Sequence, residues 1–383
     1  MIMLPGSKTT PLTRRASVHL DMARGLAALA VLLGHVRALF FLPYHDLGRP
    51  SVVLAAFYAV TSLGHQAVIV FFVLSGFFIV SSVVASFKRG NWSWTGYLVN
   101  RIVRLSLVLI PALILCWLLD HIGMALPFTT ALYHRAVEDL ITPSVANLET
   151  YRNFVGSFFY VQSILVQPFG SDGPLWSLSY EFWYYILFPV ALCVLAGKSR
   201  SMGRVIYSVL AILIIFFVGR TIALYFLIWF LGGAIALSSV WGWAQLRFAR
   251  ADAIAMVPLI CVLGFSVDRP LNSAFLTDGI VALGFGVWMY SLLGMPEGLV
   301  KPFYAKMARL LAGFSYTLYL THFPVLFFIR SAISQAAMWQ PNLVHILCAV
   351  GIAVFPLLLA YGIAEMTEAR TALVRHKVME LFQ

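Results

Sequence analysis

Residues 20–35 read LDMARGLAALAVLLGH. Leu, Ala, Val and Gly make the stretch a membrane helix, and Arg24 and His35 interrupt it. Eleven residues at 100° each come to about 1100°, three turns plus roughly 20°, so the two side chains project from one face. They stand about 16.5 Å apart along the axis. A charged residue near a bilayer centre costs about 2.5–3.5 kcal/mol on insertion scales. That cost points to a polar cavity or a bound ligand inside a helical bundle. Snorkelling is the bland alternative for Arg24 and a hydrogen-bonded core position for His35, and the shared face counts against both.

The rest of the chain has the same character. Its 383 residues are 61% hydrophobic and 11% charged, against about 25% charged in soluble proteins. Apolar runs of near 20 residues recur throughout, and the alternating pattern of a membrane barrel does not occur. The fold class expected is an all-α, polytopic membrane protein of about ten spans: 18–42, 60–86, 101–119, 175–196, 204–219, 221–240, 252–267, 275–294, 310–332 and 343–365. Residues 18–365 form one membrane domain between tails 1–17 and 366–383. If residues 1–17, 87–104, 197–204, 241–251, 295–309 and 366–383 and Arg24 face the cytoplasm, 19 of the 26 Lys and Arg lie there. This predicts an N-in, C-in protein of the inner membrane. The net charge of +11 thus marks topology, and no nucleic-acid partner is expected. The N-terminal apolar stretch is long and lacks a cleavage site, so it is a retained first helix.

Between the third and fourth spans, Asp120, Glu138, Asp139, Glu149 and Asp172 make 120–174 extracytoplasmic. Within it, FVGSFFYVQSILVQPFG (154–170) is too short to span and reads as re-entrant or interfacial. The cysteines 116, 193, 261 and 348 sit in apolar runs as packing residues, without a disulfide framework. The nine histidines show no ligand spacing, so no metal is expected.

Four further stretches carry polar chemistry. In NRIVRLSLVLIP (100–111), Arg101 and Arg104 share a helix face; a guanidinium pair suits phosphate, although basic helix flanks also serve topology. In GPLWSLSYEFWYYILFP (173–189), Glu181 lies two turns into a helix among aromatics, at a depth where a carboxylate needs a partner or a proton. A pairing with His35 would fix that imidazole's tautomer. In FSYTLYLTHFPVLF (314–327), His322 falls mid-span as a functional or a core histidine. In FFVLSGFFI (71–79), Ser75-Gly76 most simply permits close packing or a bend. Arg330, near a helix end, is expected to snorkel.

Taken in order, these motifs resemble the acyltransferase-3 family of integral membrane acyltransferases over residues 18–330 and onward to the last helix. The resemblance implies a ten-helix bundle that moves an acyl group, often acetyl, from cytoplasmic acyl-CoA to an extracytoplasmic acceptor, commonly a cell-surface glycan hydroxyl. It places the family's essential histidine on His35, its first-helix arginine on Arg24, its Arg-x-x-Arg on Arg101 and Arg104, and its acidic residue on Glu181. The chain departs from many relatives in carrying Ile69 where they have Asp. It also lacks their appended extracytoplasmic domain, so a separate extracytoplasmic partner protein is a further expectation.

The mechanism expected has Arg24, Arg101 and Arg104 holding the phosphates of acetyl-CoA while the thioester reaches His35. His35 is general base for a hydroxyl, and Glu181 orients it, stabilises its cation or grips the acceptor. Trp176, Ser179, Tyr180 and His322 are expected to contact substrate, with Trp176 or Tyr180 as oxyanion donor. A covalent acyl-His35 is also open. The alternative from another class is a transporter or flippase of a glycan precursor, since ionisable residues in spans also mark transport pathways. Against it, neither internal repeats nor broken helix pairs are evident.

Overall fold

The computed structural model describes residues 12–137, 140–141, 143–196, 201–240, 251–266, 271, 273–333 and 338–381. Of the residues used above to assign sides, 197–200, Glu138, Asp139, nearly all of 241–251 and most of the N-terminal tail lie outside the described residues. The structure is 82% helical and has no strands among the described residues.

The helices, in chain order, are α1 (Arg14–Phe40), α2 (Val52–Thr61), α3 (Gly64–Arg89), α4 (Trp94–Ala125), α5 (Thr130–Tyr133), α6 (Val145–Leu148), α7 (Tyr151–Phe158) and α8 (Trp176–Ala196). They continue with α9 (Ser201–Val240), α10 (Ala251–Ser266), α11 (Ala274–Leu293), α12 (Pro302–Gly313), α13 (Ser315–Ile333), α14 (Leu343–Met366) and α15 (Thr371–Glu380). Among the described residues, seven helical segments can cross a membrane by length and composition, and α12 with α13, bent by 55°, makes an eighth. The expected runs 204–219 and 221–240 are two helices that meet at a kink within α9, at Gly219, whose φ of 79° and ψ of 172° are not helical. The expected run 252–267 falls on α10, described over Ala251–Ser266.

Residues 154–170 do not span. Helix α7 stops after eight residues, and the chain turns through Tyr160 and Ser163, both with positive φ. Outward apolar side chains such as Ile114, Leu213, Ile260 and Leu358 have no water-compatible chemistry, which is the surface lipid requires.

The chain forms two compact units. The first comprises residues up to Arg24, 66–93 and 180–309. In it α11 packs on α9 and α10, and Tyr225 donates to Asp278 at 2.6 Å. The second comprises 25–65, 94–179 and 310–383. There α13 packs on α4 and α14. Gly25 permits the approach of α1 in this unit, because a Cβ at that position would stand 2.4 Å from the Leu311 Cβ.

Candidate active site

Two helices of the second unit carry the histidines. Helix α1 runs unbroken through its Ala, Leu and Val residues and presents His35 near its C-terminal end. The bend between α12 and α13 starts a new helix at Ser315, and His322 sits two turns into it. His35 Nδ1 and His322 Nε2 are 2.8 Å apart, with the ring planes 22° from parallel. His322 is 1% exposed, and its Nδ1–H donates to the Leu318 carbonyl at 2.9 Å. Phe323 closes on His35 edge-on at 4.8 Å. His35 Nδ1 is therefore occupied by a second imidazole, where a carboxylate had been anticipated.

Next to this pair, Tyr319 ties α13 to the entry of α8. Its hydroxyl donates to the Pro174 carbonyl at 3.0 Å and lies 2.7 Å from Ser177 Oγ. Neither Ser177 nor Tyr319 stood out in the sequence, although both belong to the motifs quoted there. Both hydroxyls are buried, and both find their partners within the unit.

A family model described as an acyltransferase domain matches residues 18–362. The chain belongs to the acyltransferase-3 family. Searches of curated proteins and of solved structures gave no match. The molecule is a multi-pass membrane acyltransferase.

The other site residues of this acyltransferase fall as follows. Arg24 lies 3.7 Å from Asp21, one turn back on α1, and both are part-exposed. The sequence reading passed over Asp21, although the i, i+3 spacing was there to see. Arg101 holds its guanidinium 5.6 Å from the Tyr97 ring centroid, whereas Arg104 is exposed. They share α4 but have different environments.

Glu181, in the first unit, has its own donors. Its Oε1 accepts from Ser75 Oγ at 2.8 Å and from the Tyr185 hydroxyl. Ser75 in turn accepts from the Trp229 indole at 3.1 Å. Ser75-Gly76 thus does more than permit packing. Gly76 lets the Trp229 backbone approach, since a Cβ there would meet the Trp229 oxygen at 1.9 Å, and this brings the indole to Ser75.

Among the expected substrate contacts, Trp176 stacks at 6.4 Å on His65. Ser179 donates to the Trp176 carbonyl at 2.9 Å and is 0% exposed, so its hydroxyl is spent within the helix. Tyr180 lies almost parallel to Phe72 at 6.0 Å.

One expectation needs correction. Arg330 does not snorkel: it is 4% exposed, 6.0 Å from the Phe40 ring centroid, because α13 keeps it inside the unit. Asp120 and Asp172, which marked 120–174 as extracytoplasmic, are both 0% exposed. Asp120 accepts from the Ser171 amide at 2.7 Å, the Ser171 hydroxyl at 2.6 Å and the Cys116 thiol at 3.3 Å. Neither carboxylate oxygen of Asp172 has a hydrogen-bond partner. Burial and the neighbouring Asp120 push the Asp172 carboxyl well above the usual carboxylate range. Among the described residues, no group of three or more His, Cys, Asp or Glu could hold a metal ion.

Proposed function

We propose that this chain is a transmembrane O-acyltransferase of the cytoplasmic membrane, N-in and C-in. In this reading it moves an acetyl group from cytoplasmic acetyl-CoA to a hydroxyl of an extracytoplasmic cell-surface glycan or its precursor. His35 is the general base. The observation that carries the reading is the hydrogen bond between His35 and His322, 2.8 Å long, inside a membrane acyltransferase: it anchors one ring nitrogen of His35 and leaves the other for chemistry. A hydroxyl is a weak nucleophile at neutral pH and needs such a base. The acceptor oxygen forms its bond to the thioester carbonyl carbon as its proton passes to His35. The C–S bond then breaks, and the CoA sulfur leaves with that proton.

Arg24, Arg101 and Arg104 are the residues for the CoA phosphates, for which guanidinium forks are suited. Arg24 and His35 are eleven residues apart on α1, about 16.5 Å, a span that suits the long arm between phosphates and thioester. Glu181 is kept for the acceptor, because one of its oxygens already holds two hydroxyl donors. A separate extracytoplasmic partner protein would present or receive the glycan.

The test is mass spectrometry of envelope glycans from cells carrying wild-type protein or His35→Ala at equal membrane levels. The expected result is a mass gain of one acetyl group with wild type alone. An equal gain with His35→Ala refutes the assignment of the base.

A further inference from the structure

The hydrogen bond between the two histidines has a direction, and a backbone oxygen sets it. The Leu318 carbonyl can only accept, so His322 Nδ1, 2.9 Å away, carries a hydrogen. A neutral imidazole has one N–H, so His322 Nε2 is bare and accepts. His35 Nδ1, 2.8 Å from it, is then the donor. A neutral His35 with its hydrogen on Nδ1 has its lone pair on Nε2. The reverse polarity requires a doubly protonated His322. That cation would be 1% exposed, and among the described residues no carboxylate bonds either ring, which makes it costly.

We infer that His322 is a positioning residue: it fixes His35 as the Nδ1–H tautomer and thereby makes Nε2 the nitrogen that takes the acceptor's proton. The tautomer follows from the geometry alone, and its catalytic consequence rests on the acyl-transfer reading of His35. In the reaction, His35 Nε2 gains the hydroxyl proton while Nδ1–H keeps donating to His322. His322 stays neutral throughout, and the charge of the imidazolium is shared along the hydrogen bond. When the CoA sulfur leaves, Nε2 returns the proton to it, and both rings end as they began. His322 thus does for His35 what a carboxylate does for a histidine in other hydroxyl-activating sites, without adding a negative charge inside the membrane.

Two readouts test this. The first is ring 15N NMR of the full-length protein in detergent without substrate, at a pH where both rings are neutral, with each histidine assigned by substitution. His35 is expected to show a protonated Nδ1 and a bare Nε2 in wild type, and to lose that preference in His322→Ala. A wild-type His35 protonated on Nε2, or an unchanged tautomer in His322→Ala, overturns the inference.

The second is CoA release from acetyl-CoA in membranes of the expressing cells. His322→Ala should lower kcat by about 10²–10⁴-fold, the usual weight of a general base, with KM for acetyl-CoA unchanged. His322→Gln places an amide oxygen near the lost Nε2 and should recover at least a tenth of wild-type kcat. Wild-type turnover in His322→Ala overturns the positioning role, as does a His322→Gln protein that is folded, inserted and as inactive as the alanine variant. If the NMR result holds while wild-type membranes release no CoA, the acyl-transfer reading fails and the tautomer assignment stands.

Discussion

Replacing Asp120 with alanine removes the acceptor for two buried donors of Ser171, the amide and the hydroxyl, at 2.7 and 2.6 Å. Ser171 is 0% exposed, so water cannot substitute without opening the site. Each buried polar group left unmade costs about 1–3 kcal/mol, which gives about 2–6 kcal/mol for the pair. At about 2 °C per kcal/mol, the lower end for larger domains, the melting temperature should fall by about 4–12 °C. Asp120→Asn is the control. Its amide oxygen still accepts from the Ser171 amide, and the Ser171 hydroxyl can rotate to accept from the new NH₂ group. It should lose less than half as much as alanine. The assay is thermal unfolding of the detergent-purified protein followed by circular dichroism. An alanine variant melting within about 1 °C of wild type would refute the reasoning, because a group bonded as drawn cannot be deleted at so small a cost.

Two more outcomes follow from the same geometry. Asp172 has a carboxyl raised by burial and by Asp120, so folding favours its protonated form. Its contribution is fully present below the unfolded value of about 3.9 and is lost as pH rises through the folded value. Asp172→Asn should therefore raise the melting temperature at neutral pH and flatten its decline with pH; a variant with the wild-type slope would show that Asp172 is ionised and solvated. Joint replacement of Arg101 and Arg104 by alanine should weaken acetyl-CoA binding at least tenfold, since each charged hydrogen bond to phosphate is worth about 1.5–3 kcal/mol; unchanged affinity by calorimetry returns both to topology signals.

The apolar runs made most of the helices legible, because a segment long enough to cross a bilayer announces itself by composition. The break between 204–219 and 221–240 was legible too, because Arg220 interrupts the apolar run, and the kink falls at its neighbour Gly219. His35 and Arg24 stood out through local spacing on one helix. His322 also stood out, but its bond to His35 joins residues 287 apart in sequence, and no periodicity reports that. Ser75 looked like a packing residue because a hydroxyl's partner is invisible until Trp229 and Glu181 are placed around it. The burial of Asp120 and Asp172 was hidden for a similar reason: acids between apolar runs mark a segment outside the bilayer, and only its folding covers them.

Helix α4 is 32 residues long, about 48 Å, and a hydrocarbon core is about 30 Å. Asp120 lies in its last turns. The aspartate and the loop it grips through Ser171 form a cap on that end of α4, cemented by buried polar bonds of the kind found in water-soluble proteins. Such a cap should hold its shape when detergent replaces lipid, which makes it the natural epitope for a conformation-selective antibody.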